Sequence, residues 1–171
     1  MLKFGCAHAV HAATFALLAA ACGGAEGAPL PTGAVAVALG TGEREYESLE
    51  GEPQLPLVAG VQGGQHVWAS FLAYGFTSGA VAMLLTTSVE EAPESRLSMR
   101  ANLRTRQVLD DQGEPADTFA GFPAQVSGAP CAHGKRVRID LTLSDDSGRV
   151  AADTRYCIAN VEEARRSRSC P

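Results

Sequence analysis

The feature that most limits what this chain can fold into is strict alternation. Within residues 97–109, Leu97, Met99, Ala101 and Leu103 fall on one face of an extended backbone, and Ser98, Arg100, Asn102 and Arg104 on the other. A period of two belongs to a strand with one dry and one wet face. Asp110-Asp111-Gln112-Gly113 then closes the run as a turn. The pattern returns at Val137, Ile139, Leu141 and Leu143, followed by Asp145-Asp146-Ser147-Gly148 and a further run over 150–158, which predicts a β-hairpin. Other strand-like runs occupy 34–39, 44–49, 66–74 and 79–88. Pro53 and Pro56 are expected to interrupt pairing and to leave Leu57-Val58 as a fragment or an edge. Gly121 and Pro123 break a short segment over 118–126. Seven to eight short strands with regular turns and no helical period predict an all-β fold, an antiparallel β-sandwich over residues 33–160.

The N-terminus reads as an address. Residues 1–21 carry one charge, Lys3, and an apolar stretch too short to span a bilayer, as in a signal peptide. Leu18-Ala19-Ala20-Ala21-Cys22 resembles the lipobox of bacterial lipoproteins. That resemblance implies a lipid thioether on Cys22 after cleavage behind Ala21, with Ala19 standing where that class prefers Leu. Ordinary secretory cleavage is the competing reading, because Ala19-x-Ala21 fits that peptidase as well. Residues 22–32 are rich in Gly, Ala and Pro and read as a flexible tether. The expected location is therefore the cell envelope, anchored to a membrane by lipid. By resemblance to the lipoprotein class, the absence of Asp at position 24 points toward the outer membrane. A soluble periplasmic or secreted form is the alternative.

In an exported chain, thiols pair by default. Cys6 leaves with the leader and Cys22 takes lipid, so Cys131, Cys157 and Cys170 remain. Folding the predicted hairpin about its turn puts residue 136 opposite Cys157, a few residues after Cys131. A Cys131–Cys157 disulfide is expected, with Cys170 able to displace either partner. Residues 161–171 form a polar tail that can also be read as a short capping helix.

Gly60-Val61-Gln62-Gly63-Gly64-Gln65-His66-Val67-Trp68 resembles a motif in uncharacterised bacterial envelope lipoproteins with an immunoglobulin- or fibronectin-like domain. So do Pro130-Cys131, the run from Val137 through Leu143 to Asp145, and Gly148-Arg149-Val150-Ala151-Ala152-Asp153. The resemblance covers about a third of the mature chain. It implies an immunoglobulin-like (fibronectin III-like) sandwich and an envelope location, and it brings no catalytic residues. The Cys–Trp–Cys spacing of antibody domains is missing, since no Cys stands a dozen residues before Trp68.

Charge and motif content narrow the chemistry. The net charge of −5 argues against nucleic-acid binding, which needs a basic surface. Arg96, Arg100, Arg104 and Arg106 are evenly spaced and predict one solvated strand face; Glu43, Glu45 and Glu47 predict another, and the two stripes could pair. His66 shares a strand face with Trp68, so it reads as a rim residue or a partly buried partner of the indole. Trp68 itself reads as a large filler of the core. Cys131-Ala132-His133 lacks the spacing and ligand number of a zinc site. The two Asp-Asp turns read as hairpin turns rather than calcium loops. Gly40-Thr41-Gly42 lacks the third glycine and the helix of a nucleotide loop. No metal or cofactor is expected.

Three roles follow, in this order. The first is a non-enzymatic accessory domain that meets an envelope protein or the cell wall. The second is a carbohydrate- or small-ligand-binding module, which would need Trp68, Tyr46, Tyr74 or Tyr156 aligned on one open face. The third is a hydrolase with an unrecognised site.

Overall fold

The computed structural model describes residues 34–60, 64–77 and 79–166. The expected leader over 1–21, Cys22, the expected tether over 22–32 and Cys170 lie outside the described residues. Within them there is no α-helix, and therefore none long and apolar enough to cross a membrane. Eleven strands are present: β1 (Ala36–Thr41), β2 (Glu47–Ser48), β3 (Gln54–Pro56), β4 (Val58–Ala59), β5 (Gln65–Tyr74), β6 (Ala80–Val89), β7 (Ala92–Arg104), β8 (Arg106–Leu109), β9 (Pro115–Gln125), β10 (Arg136–Ser144) and β11 (Val150–Asn160). They form two sheets. The first runs β2-β1-β5-β9-β8, with β4 also paired to β5; the second runs β3-β11-β10-β6-β7. Every pairing is antiparallel except β3 on β11.

One apolar core draws on both sheets. The first sheet contributes Leu39, Val67, Ala69 and Phe71, and the second Val81, Met83, Leu85, Val137, Ile139, Leu141 and Leu143. The alternation that predicts strands is also what builds this core, because every second residue of β6 and β10 points into it. Phe71 and Phe119 stack within the first sheet, ring centroids 6.1 Å apart. Asp153 on β11 ties the sheets at one edge: its Oδ2 accepts from the Leu39 N–H of β1 at 2.8 Å and from Arg155 Nε at 2.8 Å.

Three strand expectations change. The run 97–109 is two strands, because the chain turns from the second sheet into the first at Thr105, whose N–H donates to the Gly79 carbonyl at 2.9 Å. Arg96, Arg100 and Arg104 are exposed on β7, whereas Arg106 belongs to β8 in the other sheet. The proline-flanked segment 53–56 does pair, as β3 at a sheet edge; the Pro53 carbonyl accepts from the Ile158 N–H, and the Leu57 N–H donates to the Asn160 carbonyl. An edge strand needs no donor on its outer side, which is how proline is tolerated there. The segment at 118–126 is part of the eleven-residue β9, whose register shifts where Gly121 lies.

The hairpin β10–β11 forms with Val137, rather than residue 136, opposite Cys157. Cys157 points into the core, fully buried, and is a free thiol, so the expected Cys131–Cys157 disulfide is not formed. An inward side chain in mid-strand is surrounded by core residues, while Cys131 ends a separate 3₁₀ turn, Ala129–Cys131. Burial pushes the Cys157 thiol up to about 11, which keeps it protonated at neutral pH. The 161–171 tail begins inside the domain: Val161 is fully buried, and its N–H donates to His133 Nδ1 at 3.1 Å. A single 3₁₀ turn, Glu163–Arg165, follows.

Candidate functional site

Strand β5 sets the site. With Val67, Ala69, Phe71 and Ala73 turned into the core, alternation leaves His66, Trp68, Ser70 and Leu72 on the outer face of the first sheet. That face is not wet: His66, Ser70 and Leu72 are buried, and Trp68 is half-buried. One strand fragment flanks it and one piece of chain crosses it. At one end β4 pairs with β5, Val58 opposite His66. Further along, the chain leaving β1 crosses over β5. The Ser70 hydroxyl donates to the Thr41 carbonyl, and Thr41 Oγ1 donates to the Trp68 carbonyl at 2.8 Å. Beyond β5, the Gly121 N–H of β9 donates to the Gly42 carbonyl at 3.1 Å.

Gly121 makes that crossing possible. The β9 register passes from Phe122 opposite Ala69 to Phe119 opposite Phe71, a bulge that turns the Gly121 N–H out of the ladder. Its φ is +79°, and a Cβ at this position would run into the Glu43 carbonyl.

The outer face beside β4 holds a slot of about 410 Å³. His66 and Trp68 line its floor, Val58 and Ala59 one side, Pro123 and Gln125 the other. The pairing of β5 with β9 places Gln125 opposite His66 and Pro123 opposite Trp68. The imidazole meets the indole edge to face, centroids 4.5 Å apart at 75°. His66 is only 6% exposed, and its Nε2 is buried without a hydrogen-bond partner. Desolvation lowers the His66 pKa below its ordinary 6.5, partly opposed by the Glu43 carboxylate. The ring is therefore neutral at pH 7, with one donor and one acceptor nitrogen. A buried polar atom left unmet costs about 1–3 kcal/mol, a penalty a ligand group could remove. An aromatic floor with one unpartnered imidazole nitrogen suits a flat, uncharged group. The described lining carries no Ser, Cys, Lys or carboxylate.

Trp68 thus lies on the floor of this slot and is not the filler of the core. The core side of β5 is taken by Val67, Ala69 and Phe71, and the one-residue alternation forces the indole to the opposite face.

No protein-family model matches the chain, and no curated protein matches it.

The remaining candidates are accounted for by local structure. His133 caps the Val161 N–H through Nδ1. No group of three metal-ligating side chains occurs among the described residues. In the 145–149 turn, Asp145 Oδ1 accepts from Ser147 N–H at 3.0 Å, Ser147 Oγ at 2.6 Å and Arg149 N–H at 3.0 Å, while Oδ2 accepts from Thr77 and Arg149 Nε. These bonds, that from Ser147 foremost, hold the carboxyl well below the usual range. Asp110 closes its own turn in the same way, with Gln112 and Glu114 N–H groups on Oδ1 and the Tyr74 hydroxyl on Oδ2 at 3.0 Å.

The aromatics do not form one row. Tyr46 lies against Gly40 and Tyr74 against Asp110, both on the far side of the 41–43 crossing from Trp68. Tyr156 is on the second sheet under Arg136, whose guanidinium carbon is 3.8 Å from the ring centroid. Sequence reasoning paired His66 with Trp68 but missed Val58, Pro123 and Gln125. The period-two pattern of 118–126 was the available signal, and Pro123 masked it.

Proposed function

We propose that this chain is a lipid-anchored protein of the bacterial cell envelope. Its domain is a non-enzymatic, immunoglobulin- or fibronectin-like sandwich that binds a flat, uncharged group in the His66–Trp68 slot. The observation that carries the reading is the buried His66 Nε2 without a partner, beside an indole in an apolar slot. Polar atoms in a settled core find partners, and a binding site is where one is left over. Support for the tether comes from Leu18-Ala19-Ala20-Ala21-Cys22 and the Gly/Ala/Pro stretch behind it. Support for the sandwich comes from two sheets sharing one core. The ligand class that fits is a sugar ring or an aromatic group displayed by an envelope partner or the cell wall.

The test uses N-phenyl-1-naphthylamine, a neutral aromatic probe, with the full chain. Trp68 is the only tryptophan, so its emission reports the slot directly. Saturable binding of one probe per chain with energy transfer from Trp68 is expected, and Pro123→Arg should abolish it without lowering Tm. No saturable binding by the wild type, or equal binding by Pro123→Arg, would contradict the slot. Partition of the wild type to membranes and of Cys22→Ser to the soluble fraction tests the anchor separately.

A further inference from the structure

The basic side chains divide into two groups. Lys135, Arg136, Arg138, Arg149, Arg155 and Arg165 each pair with a carboxylate, and Arg166 donates to the Val161 carbonyl. The other described cations are Arg44, Arg96, Arg100, Arg104 and Arg106, and none of them has a carboxylate partner among the described residues. This happens in a chain with 19 acidic and 14 basic residues, where partners are plentiful. All five lie on β7, on β8 or in the loop between β1 and β2.

Arg96 and Arg100 have a simple explanation. They stand on an edge strand of thirteen residues, and charges there discourage pairing with another sheet. That explanation does not cover the other three. Arg104 ends β7, Arg106 begins β8 in the other sheet, and Arg44 arrives from a loop, yet all three line one depression of about 210 Å³. Between Arg104 and Arg106 sits Thr105, whose hydroxyl is buried without a partner and which also lines the depression. Gathering three like charges from three places opposes stability unless an anion offsets them.

We propose that the Arg44–Arg104–Arg106 depression binds a phosphate group. Guanidinium forks match phosphate oxygens two at a time, and three of them line this one depression. The volume admits one such group with the first atoms of whatever carries it. The same chemistry is met on a free phosphate ester and on a phospholipid headgroup. The site is separate from the His66–Trp68 slot and shares no lining residue with it.

The test is NMR titration of full-length Cys22→Ser protein with inorganic phosphate, together with flotation on vesicles of phosphatidylcholine alone or with phosphatidic acid. Phosphate is expected to shift the Arg44, Thr105 and Arg106 signals with a saturable, millimolar Kd. Arg44→Gln/Arg106→Gln should weaken that at least tenfold, and Arg96→Gln/Arg100→Gln less than twofold. All four side chains are exposed, so both double variants should keep the wild-type Tm. Flotation that needs phosphatidic acid and Arg44 with Arg106 would assign the group to a headgroup; phosphate binding without flotation would assign it to a free ester. The proposal is overturned if neither probe binds, or if both double variants lose binding equally, since that would be diffuse attraction rather than a site.

Discussion

Strands β5 and β10 are each central in a sheet, yet they are buried in different ways. In β10, Val137, Ile139, Leu141 and Leu143 are buried, and the residues between them are half-buried or exposed. In β5, eight of ten residues are buried, and they fall on both faces. The second sheet therefore follows the rule for an antiparallel sheet with one wet face, and the first departs from it. The outer face of β5 is crossed by the chain leaving β1, held by polar contacts at Thr41, Ser70 and Gly42, while β4 lies alongside in the sheet. The crossing leaves beside it the slot with its unmet imidazole nitrogen. The comparison teaches that β10 uses its alternation for the core, while the outer face of β5 keeps a slot and an unpartnered polar atom.

The largest expected effect lies on β10. Leu141→Ala should cost about 2–5 kcal/mol in urea unfolding, because a buried leucine leaves both a transfer loss and a cavity. It should leave probe binding unchanged under conditions where the protein remains folded. On the β5 side, Gly121→Val should cost about 1–3 kcal/mol through its positive φ and the clash with the 41–43 crossing. Unlike Leu141→Ala, it should also weaken N-phenyl-1-naphthylamine binding, since the crossing packs beside the slot. If the two variants lost stability and binding in the same proportion, the contrast between the strands would fail.

Cys157→Ala should cost about 1 kcal/mol, the loss of one small buried group. Non-reducing peptide mapping of the wild type should return Cys157 as a thiol, and a Cys131–Cys157 peptide would contradict the core described above.

The smallest effect concerns pH. The folded His66 pKa lies below its ordinary 6.5, so the unfolded chain takes the proton first. The protonation penalty at His66 is then absent above pH 6.5, and stability declines as pH falls through that value toward the lower folded pKa. His66→Leu should flatten this decline and be neutral or stabilising at pH 7, because it removes an unmet nitrogen. A loss above about 1 kcal/mol would mean that the imidazole is satisfied in the free protein.

The same contrast explains what the sequence disclosed. The β10–β11 hairpin was legible to within one residue of register, because Val137 to Leu143 alternate and the turn residues sit between the two runs. The corner at Thr105 left a trace, since the apolar alternation from Leu97 stops at Leu103 and polar Thr105 and Gln107 follow at the next two inward positions. The even spacing of the arginines ran through that break and made Arg106 look like a neighbour of Arg100 on one face. His66 and Trp68 were placed together by period two alone. Their partners Val58, Pro123 and Gln125 were not, because they come from other strands paired to β5, and Pro123 masked the alternation that marks β9. The disulfide expectation failed for a related reason. A few residues of separation along the chain said nothing about Cys157 pointing inward.

The most direct test of the central claim is a ¹H–¹⁵N spectrum of the protein with and without N-phenyl-1-naphthylamine. Shifts confined to the Trp68 indole and the backbone amides of Val58, Gly60, His66 and Gln125 are predicted. Shifts at β7 and β8 instead, or none at saturating probe, would contradict a binding site on the outer face of β5.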